Sequence, residues 1–262
     1  MAVLLEADTE PIVQAQADRV EWRQYRRDRR PQMVDTTPLE FEPNKFTFCR
    51  IQYSSYRGRW GWNTDYPDSD ENFSLRLSQL TTIDVNFEHV YLRLTDPNLF
   101  NYPWIYMLEV GALTFSEDER QKLREYLTRG GFLFVDDFWG EREWENWVHE
   151  ISKVFPPNEF PMFEIPITHE IFHCVFNLDE MPQIPSINSW RSGYTWERPD
   201  AKVPMLWGIK DKKGRLMAVI AHNTDLGDGW EREGEDRGYF EEFSAKKAYP
   251  LGINIVVYAM TH

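Results

Sequence analysis

Gly130-Gly131-Phe132-Leu133-Phe134-Val135-Asp136-Asp137-Phe138-Trp139-Gly140 decides the fold. Phe132 to Val135 put apolar side chains on both alternating faces, the pattern of a strand covered by helices on each side. Gly130 supplies a left-handed stop for the helix before it. In open α/β sheets ligands gather at the carboxyl ends of strands, where Asp136 and Asp137 fall.

Upstream, Ser116 and Glu119 form a capping-box signature, and Leu123, Tyr126 and Leu127 give the helix that follows a core face. Trp104–Leu108 reads as a short strand closing in Glu109-Val110-Gly111, and His89–Leu94 as another, ended by Asp96-Pro97. Phe46–Tyr53 is the first strand by its alternation and β-formers. A long loop follows, with Trp60, Trp62 and Asp65-Tyr66-Pro67. Ser69 or Asp70 then caps a helix whose Phe73, Leu77 and Leu80 share a face.

Downstream, Trp144, Trp147, Val148, Ile151 and Phe155 recur at helical spacing, so residues 141–155 are an amphipathic helix with its aromatic stripe in the core. Residues 156–215 are punctuated by proline and read as an irregular insertion over one end of the sheet, with room for a small hairpin. Leu216–Ala221 is a strand running into His222-Asn223-Thr224-Asp225, and the acidic, Gly-rich stretch to Glu242 reads as loop. Leu251–Met260 is so apolar that a buried strand and a buried helix both fit. Strand–helix alternation of this kind predicts a three-layer α/β sandwich with a mainly parallel sheet over residues 46–262. Residues 1–45 are read as an appendage, an Arg-rich helix followed by a Pro-containing linker.

The chain has 262 residues, ample for one α/β domain, and a net charge of −14 from 29 basic and 43 acidic side chains. An acidic surface repels phosphate backbones, which argues against nucleic acid as a partner. The only basic concentration, Arg19 to Arg30, could serve as a membrane-surface or partner-docking arm, but is read first as a solvated terminal helix. No run reaches the length of a membrane span, and Met1-Ala-Val-Leu-Leu5 is cut off by Glu6, too short for a signal-peptide core. Cys49 and Cys174 allow one disulfide without demanding it.

The strand ends deliver Asp65, Tyr66, Glu109, Asp136, Asp137, Asn223 and Asp225 to one rim, with Trp60, Trp62, Trp139 and Trp230 close by in sequence. Carboxylates beside flat aromatic faces suit a polar small molecule or glycan, or a hard divalent cation. The plainer reading is that these Asp residues cap helices and loops. Adjacent strand residues point to opposite faces, so Asp136 and Asp137 need not share a proton. Glu109 with Asp137 is the pair that acid–base chemistry would use. A second constellation is His169-Glu170-Ile171-Phe172-His173, whose spacing on a helix would put two imidazoles on one zinc-binding face. Pro161 and Pro166 leave that helix short, and the extended motif's third His is replaced by Asp179. Nucleophile elbows and phosphate-binding glycine loops are absent from the sequence.

D-Y-P at 65–67, Y-M-L-E-V-G at 106–111, L-R-E-Y-L-T-R-G-G-F-L-F-V-D-D-F at 123–138, I-F-H at 171–173, G-R-L-M-A-V-I at 214–220, H-N-T-D-L-G-D-G-W-E at 222–231 and Y-A-M-T-H at 258–262 follow in one order. In these motifs, over about residues 46–262, the chain resembles the bacterial family called domain of unknown function 4159. The resemblance implies a flavodoxin-like sandwich of the class I glutamine amidotransferase-like group, a helix over 249–261, and an exported or periplasmic setting. It brings no activity with it. Amidotransferases need a Cys at the strand-to-helix elbow, and here that strand ends in Asp136 and Asp137, so amidotransferase chemistry is not expected. The family pattern often has Pro where Glu170 stands, which leaves His169 and His173 as the metal-site candidates. Three readings follow: a rim that binds a polar small molecule or glycan, a metal-dependent hydrolase built on His169 and His173, and a protein-interaction module.

Overall fold

The computed structural model describes residues 41–56 and 61–262. The Arg-rich stretch, most of the 1–45 appendage and Trp60 lie outside them. The elements of the sheet layer are β1 Phe46–Ile51, β3 Val85–Leu92, β4 Trp104–Leu108, β6 Phe132–Asp136, β7 Met162–Glu164, β8 Met205–Lys210 and β9 Leu216–His222. They form one sheet in the order β3-β1-β4-β6-β9-β8-β7. The first five run parallel, while β8 pairs antiparallel with both β9 and β7. Taken in chain order, the parallel strands stand 2-1-3-4-5, the flavodoxin-like arrangement. β2 Ser54–Ser55 and β5 Leu113–Thr114 make a separate small ribbon.

Alternation along the strands builds two cores. Phe46, Phe48, Tyr106, Phe134 and Val219 pack on one side, under α1 (Asp68–Leu80) and the C-terminal helix. Cys49, Ile51, Ile105, Met107, Leu133, Val135 and Ile220 face the other, under α2 (Glu117–Thr128) and α3 (Gly140–Val154). Each fully buried Phe or Leu contributes roughly 1.5–3 kcal/mol by leaving water. The Ser116–Glu119 capping box forms as expected, worth about 1 kcal/mol, and Gly130 has φ 115°.

Several boundaries differ from the sequence reading. β3 begins at Val85, four residues before His89, because its exposed Phe87 and Glu88 mask the pattern of an edge strand. Pro67 occupies the cap position of α1; Ser69 and Asp70 lie inside its first turn, buried and bonded to Arg50. The 156–215 insertion is less irregular than its prolines suggest, since β7 and β8 extend the main sheet and Ile187–Arg191 forms the short helix α4. Gly208 obscures β8, and it is needed there: a Cβ would lie 2.7 Å from Leu216 Cδ1 and 3.0 Å from the Phe163 ring.

The stretch read as loop up to Glu242 contains α5 (Leu226–Glu231) and the start of the C-terminal helix. Two glycines, Gly227 and Gly229, hide α5. Gly229 allows close packing, a Cβ there lying 2.6 Å from that of Ala248. The C-terminal helix is α over Arg237–Tyr239, π over Phe240–Ala248 and α again over Tyr249–Thr261. Between the two conformations open for Leu251–Met260, the chain takes the helix. Pro250 fits its first turn, and Leu251, Ile253, Ile255 and Val256 are all fully buried. Among the described residues no helix is long and apolar enough to cross a membrane.

Candidate functional site

Four non-glycine residues among those described have left-handed backbones: Asp65 (φ 60°), Glu109 (52°), Asp137 (50°) and Asn223 (62°). Glu109, Asp137 and Asn223 each directly follow a parallel strand, β4, β6 and β9. Such conformations cost about 1–3 kcal/mol apiece and persist where surrounding contacts enforce them. Here the Glu109 amide donates to the Asp137 carbonyl at 2.9 Å and the Asn223 amide to the Phe138 carbonyl at 3.1 Å. The turn at Asp137 also ends the strand's strict alternation, so Asp136 and Asp137 both neighbour one group of carboxylates.

Arg50, fully buried in β1, positions the fourth member. Its Nη1 donates to the Trp62 and Thr64 carbonyls at 2.9 and 2.6 Å, its Nη2 to Ser69 Oγ at 2.8 Å, and its guanidinium pairs with buried Asp70. The loop carrying Asp65 is thereby tied to the sheet. Asp65, Asp137 and Asp225 converge, offering ligand oxygens all within 4.8 Å of one another. A second such group joins Asp65 to Asp228 and Glu231 of α5.

The neighbours of these carboxylates differ. Tyr106 Oη and the Gly227 amide donate to Asp136 Oδ2 at 2.9 and 3.0 Å, whereas Asp136 Oδ1 is buried without a hydrogen-bond partner. Trp139 Nε1 donates to Asp137 Oδ1 at 3.0 Å, and the Asp228 amide donates to Asp225 Oδ1 at 2.7 Å. Asp65 Oδ2 is buried and unpartnered. Asp228 is neutralised by Arg232 at 3.2 Å and also accepts from the Ile187 amide and Tyr239 Oη; Glu231 pairs with the same Arg232 at 2.9 Å. No ion pair reaches Asp65, Asp136, Asp137 or Asp225 among the described residues.

Burial without a direct ion pair raises their proton affinities. Desolvation pushes Asp136 up to about 7, against the opposing pull of the Leu226 amide, the Tyr106 hydroxyl and the Gly227 amide. Asp137 goes up through burial and then repulsion from Glu109, Asp65 and Glu197; Asp225 through burial and then Asp137, Asp65 and Asp228. Asp65 follows through burial, Asp228 and Glu231. A cluster of this kind can donate hydrogen bonds from protonated carboxyls, or exchange its protons for a cation.

The other residues expected at the rim have different surroundings. Asn223 spans two segments, accepting from the Gly140 amide at 2.9 Å and donating to the Val203 carbonyl at 2.9 Å. Glu109 is exposed and stands first among the charges repelling a proton-free Asp137. Tyr66 turns away, its hydroxyl 2.8 Å from His89 Nε2 and its ring against Tyr91. Trp62, Trp139 and Trp230 are buried and offer no open face.

Stacking faces come instead from the insertion, at Tyr194 and Trp196, with ring centroids 5.4 Å apart and Lys202 Nζ 5.0 Å from the Trp196 centroid. They line a groove of about 560 Å³ with Ser189, Glu197 and Arg198. The Ile187 amide bonds Asp228, and Gln183 bonds both the Asn223 carbonyl and Thr195, so this segment is laced to the rim. The sequence alone does not single out Tyr194, Trp196, Asp228 or Glu231. The Asp225-x-x-Asp228 spacing is the available signal for Asp228; the groove residues carry none.

His169 and His173 lie elsewhere. Glu170–Phe172 forms a 3-10 turn, so the two imidazoles do not share an α-helical face. His169 Nδ1 accepts from the Ile171 amide and its ring packs on Tyr258; His173 sits 2.7 Å from the Ile167 carbonyl and 2.6 Å from Asn177 Oδ1. Among the described residues no group of three possible metal ligands includes either.

No curated protein matches the chain. A family model described as Domain of unknown function (DUF4159) matches residues 47–260, which takes in the whole sheet but for Phe46 and all the rim carboxylates, and the chain belongs to that family.

Proposed function

We propose that the strand-end rim binds a polar, hydroxyl-rich small molecule or glycan, without amidotransferase chemistry. The observation that carries this reading is the convergence of Asp65, Asp137 and Asp225, none of them ion-paired among the described residues, at the carboxyl ends of the parallel strands. Ligands collect there in open α/β sheets. Carboxyl groups with raised proton affinity can both donate to and accept from hydroxyls, which suits a ligand whose surface alternates the two roles. The Tyr194–Trp196 pair supplies ring faces in the neighbouring groove, and the apolar face of a pyranose stacks on such rings.

Amidotransferase chemistry lacks its nucleophile. Cys49 is enclosed in β1 and its thiol is pushed strongly up by burial; Cys174 is pushed up to about 11 and bonds the Asn254 carbonyl. A thiolate is the reactive form, and neither side chain stands at the rim.

A glycan and metabolite binding screen tests the reading. Hits should weaken in Asp137→Asn, Asp225→Asn and Trp196→Ala while melting temperatures stay near that of the parent. Hits that all three variants retain at full affinity would place the ligand elsewhere on the surface.

A further inference from the structure

We propose that Asp65, Asp137 and Asp225 form a site for one hard divalent cation, held by oxygen ligands alone. The donor set is the first argument. Three carboxylates with no Cys or His among them suit Ca²⁺, Mg²⁺ or Mn²⁺ over softer ions. Size is the second. Oxygen ligands sit about 2.3–2.6 Å from Ca²⁺, so opposite ligands stand about 4.6–5.2 Å apart. The three carboxylates already offer oxygens within 4.8 Å of one another. Mg²⁺, at about 2.1 Å, would draw opposite ligands in to about 4.2 Å.

Unsatisfied charge is the third argument, and it does not depend on the cluster's shape. Asp136 is fully buried, and its Oδ1 has no hydrogen-bond partner. Its Oδ2 is held by Tyr106 Oη and the Gly227 amide. These same groups border the cluster, since a Cβ on Gly227 would meet Asp65 Oδ2 at 2.6 Å, Tyr106 Oη at 3.1 Å and Asp225 Oδ1 at 3.4 Å. Asp65 Oδ2 is likewise buried and unpartnered. A buried carboxylate oxygen left bare is strongly unfavourable, and a cation held by Asp65 relieves that penalty at a member of the group itself.

The neighbouring group of Asp65, Asp228 and Glu231 is the weaker choice, because Arg232 already neutralises two of its three members. In the first group, Trp139 Nε1 and the Asp228 amide each fix one carboxylate oxygen and leave the other for the ion. Three ligands fill only part of a six- to eight-oxygen shell, so water or ligand hydroxyls complete it.

This inference is independent of the ligand reading and is tested with metal alone. Full-length protein stripped with chelator is titrated calorimetrically with CaCl₂, MgCl₂ and MnCl₂. One ion per chain is expected, with a rise in melting temperature. Asp137→Asn and Asp225→Asn should each lose at least about tenfold in affinity. Both remove like-charge repulsion, so the metal-free variants should melt at or above the parent. Glu231→Gln should lose less affinity than either of these two variants. Tb³⁺ emission sensitised by tryptophan, Trp139 Nε1 lying 3.0 Å from Asp137 Oδ1, and competed away by Ca²⁺ gives a readout that needs no variant. The proposal is overturned by absence of saturable binding below millimolar concentration for all three ions together with absence of sensitised emission. It is overturned equally if Glu231→Gln abolishes binding while Asp137→Asn and Asp225→Asn leave it intact.

Discussion

Gly227 donates its amide to Asp136 Oδ2 at 3.0 Å while its α-carbon lies so close to Asp65 that a Cβ would stand 2.6 Å from Asp65 Oδ2. One residue thus holds one carboxylate and sets the distance of another. Its place in α5 follows from that approach and not from helix propensity, since Gly costs about 1 kcal/mol relative to Ala within a helix.

Gly227→Ala should accordingly separate stability from binding. The atoms a Cβ meets belong to the ends of side chains, Asp65 and Tyr106, so the fold can yield at a cost of about 1 kcal/mol or less after the propensity gain. Asp65 must swing away, and binding of a cation or ligand at the cluster should fall at least about tenfold. Denaturant unfolding and metal titration of the same sample check the two halves. A variant that binds normally would show that Asp65 takes no part.

Asp136 makes a prediction about pH. Its folded-state pKa of about 7 lies above the ordinary carboxyl value near 4, so between those limits the folded chain keeps a proton that the unfolded chain has lost. Stability from this residue is full below about pH 4 and is lost as pH rises through about 7, on the order of 4 kcal/mol at most. Asp136→Asn should abolish that loss, keeping an acceptor for Tyr106 Oη without a charge. Unfolding free energies in chelator at pH 5 and pH 8 test it, and equal pH slopes for variant and parent would count against this role for Asp136.

His222 pulls the other way. Enclosed between Phe138 and Trp144, with ring centroids at 4.9 and 4.8 Å, it is pushed by burial down to about 4. From about pH 4 to its ordinary 6.5 the unfolded chain binds a proton that the folded chain refuses. Its contribution therefore rises with pH, by on the order of 3 kcal/mol, and offsets Asp136 over much of the same window. In His222→Gln the decline due to Asp136 should stand out, and in Asp136→Asn the rise due to His222. Matching unfolding curves for the two variants across pH 4–7 would contradict both assignments.

The sheet is legible in the sequence because Phe132–Val135 and Trp104–Leu108 are apolar on both faces, as a short strand must be when helices cover it on each side. Asp65, Asp137 and Asp225 are legible because strand ends are where such sheets place polar residues. By contrast, α5 and β8 are concealed, since Gly227, Gly229 and Gly208 answer to tertiary contacts that local propensity does not register. Trp62, Trp139 and Trp230 mislead, because closeness in sequence to the rim says nothing of whether a ring faces outward. Tyr194 and Trp196 leave no local trace of their place, as their segment is tied to the rim through hydrogen bonds of the insertion to Asn223 and Asp228.

Arg50 links the buried architecture to the rim, and its removal should act on both. With Asp70 it forms a fully buried ion pair, and breaking such a pair from one side costs about 3–5 kcal/mol because the remaining charge is stranded. Arg50→Met should therefore destabilise the chain by at least that much, with a further contribution from the Trp62 and Thr64 carbonyls, which lose their donor. Adding Asp70→Leu should recover most of the ion-pair part, since apolar replacement of both partners is near neutral. It cannot restore the two carbonyl bonds that tie down the loop carrying Asp65. The double variant is thus expected to regain the ion-pair part of the loss by denaturant unfolding, to stay below the parent by the carbonyl part, to bind at the cluster more weakly and to exchange the amide hydrogens of residues 64–66 faster. If stability and binding return together, Arg50 serves the core alone and Asp65 is placed by other contacts.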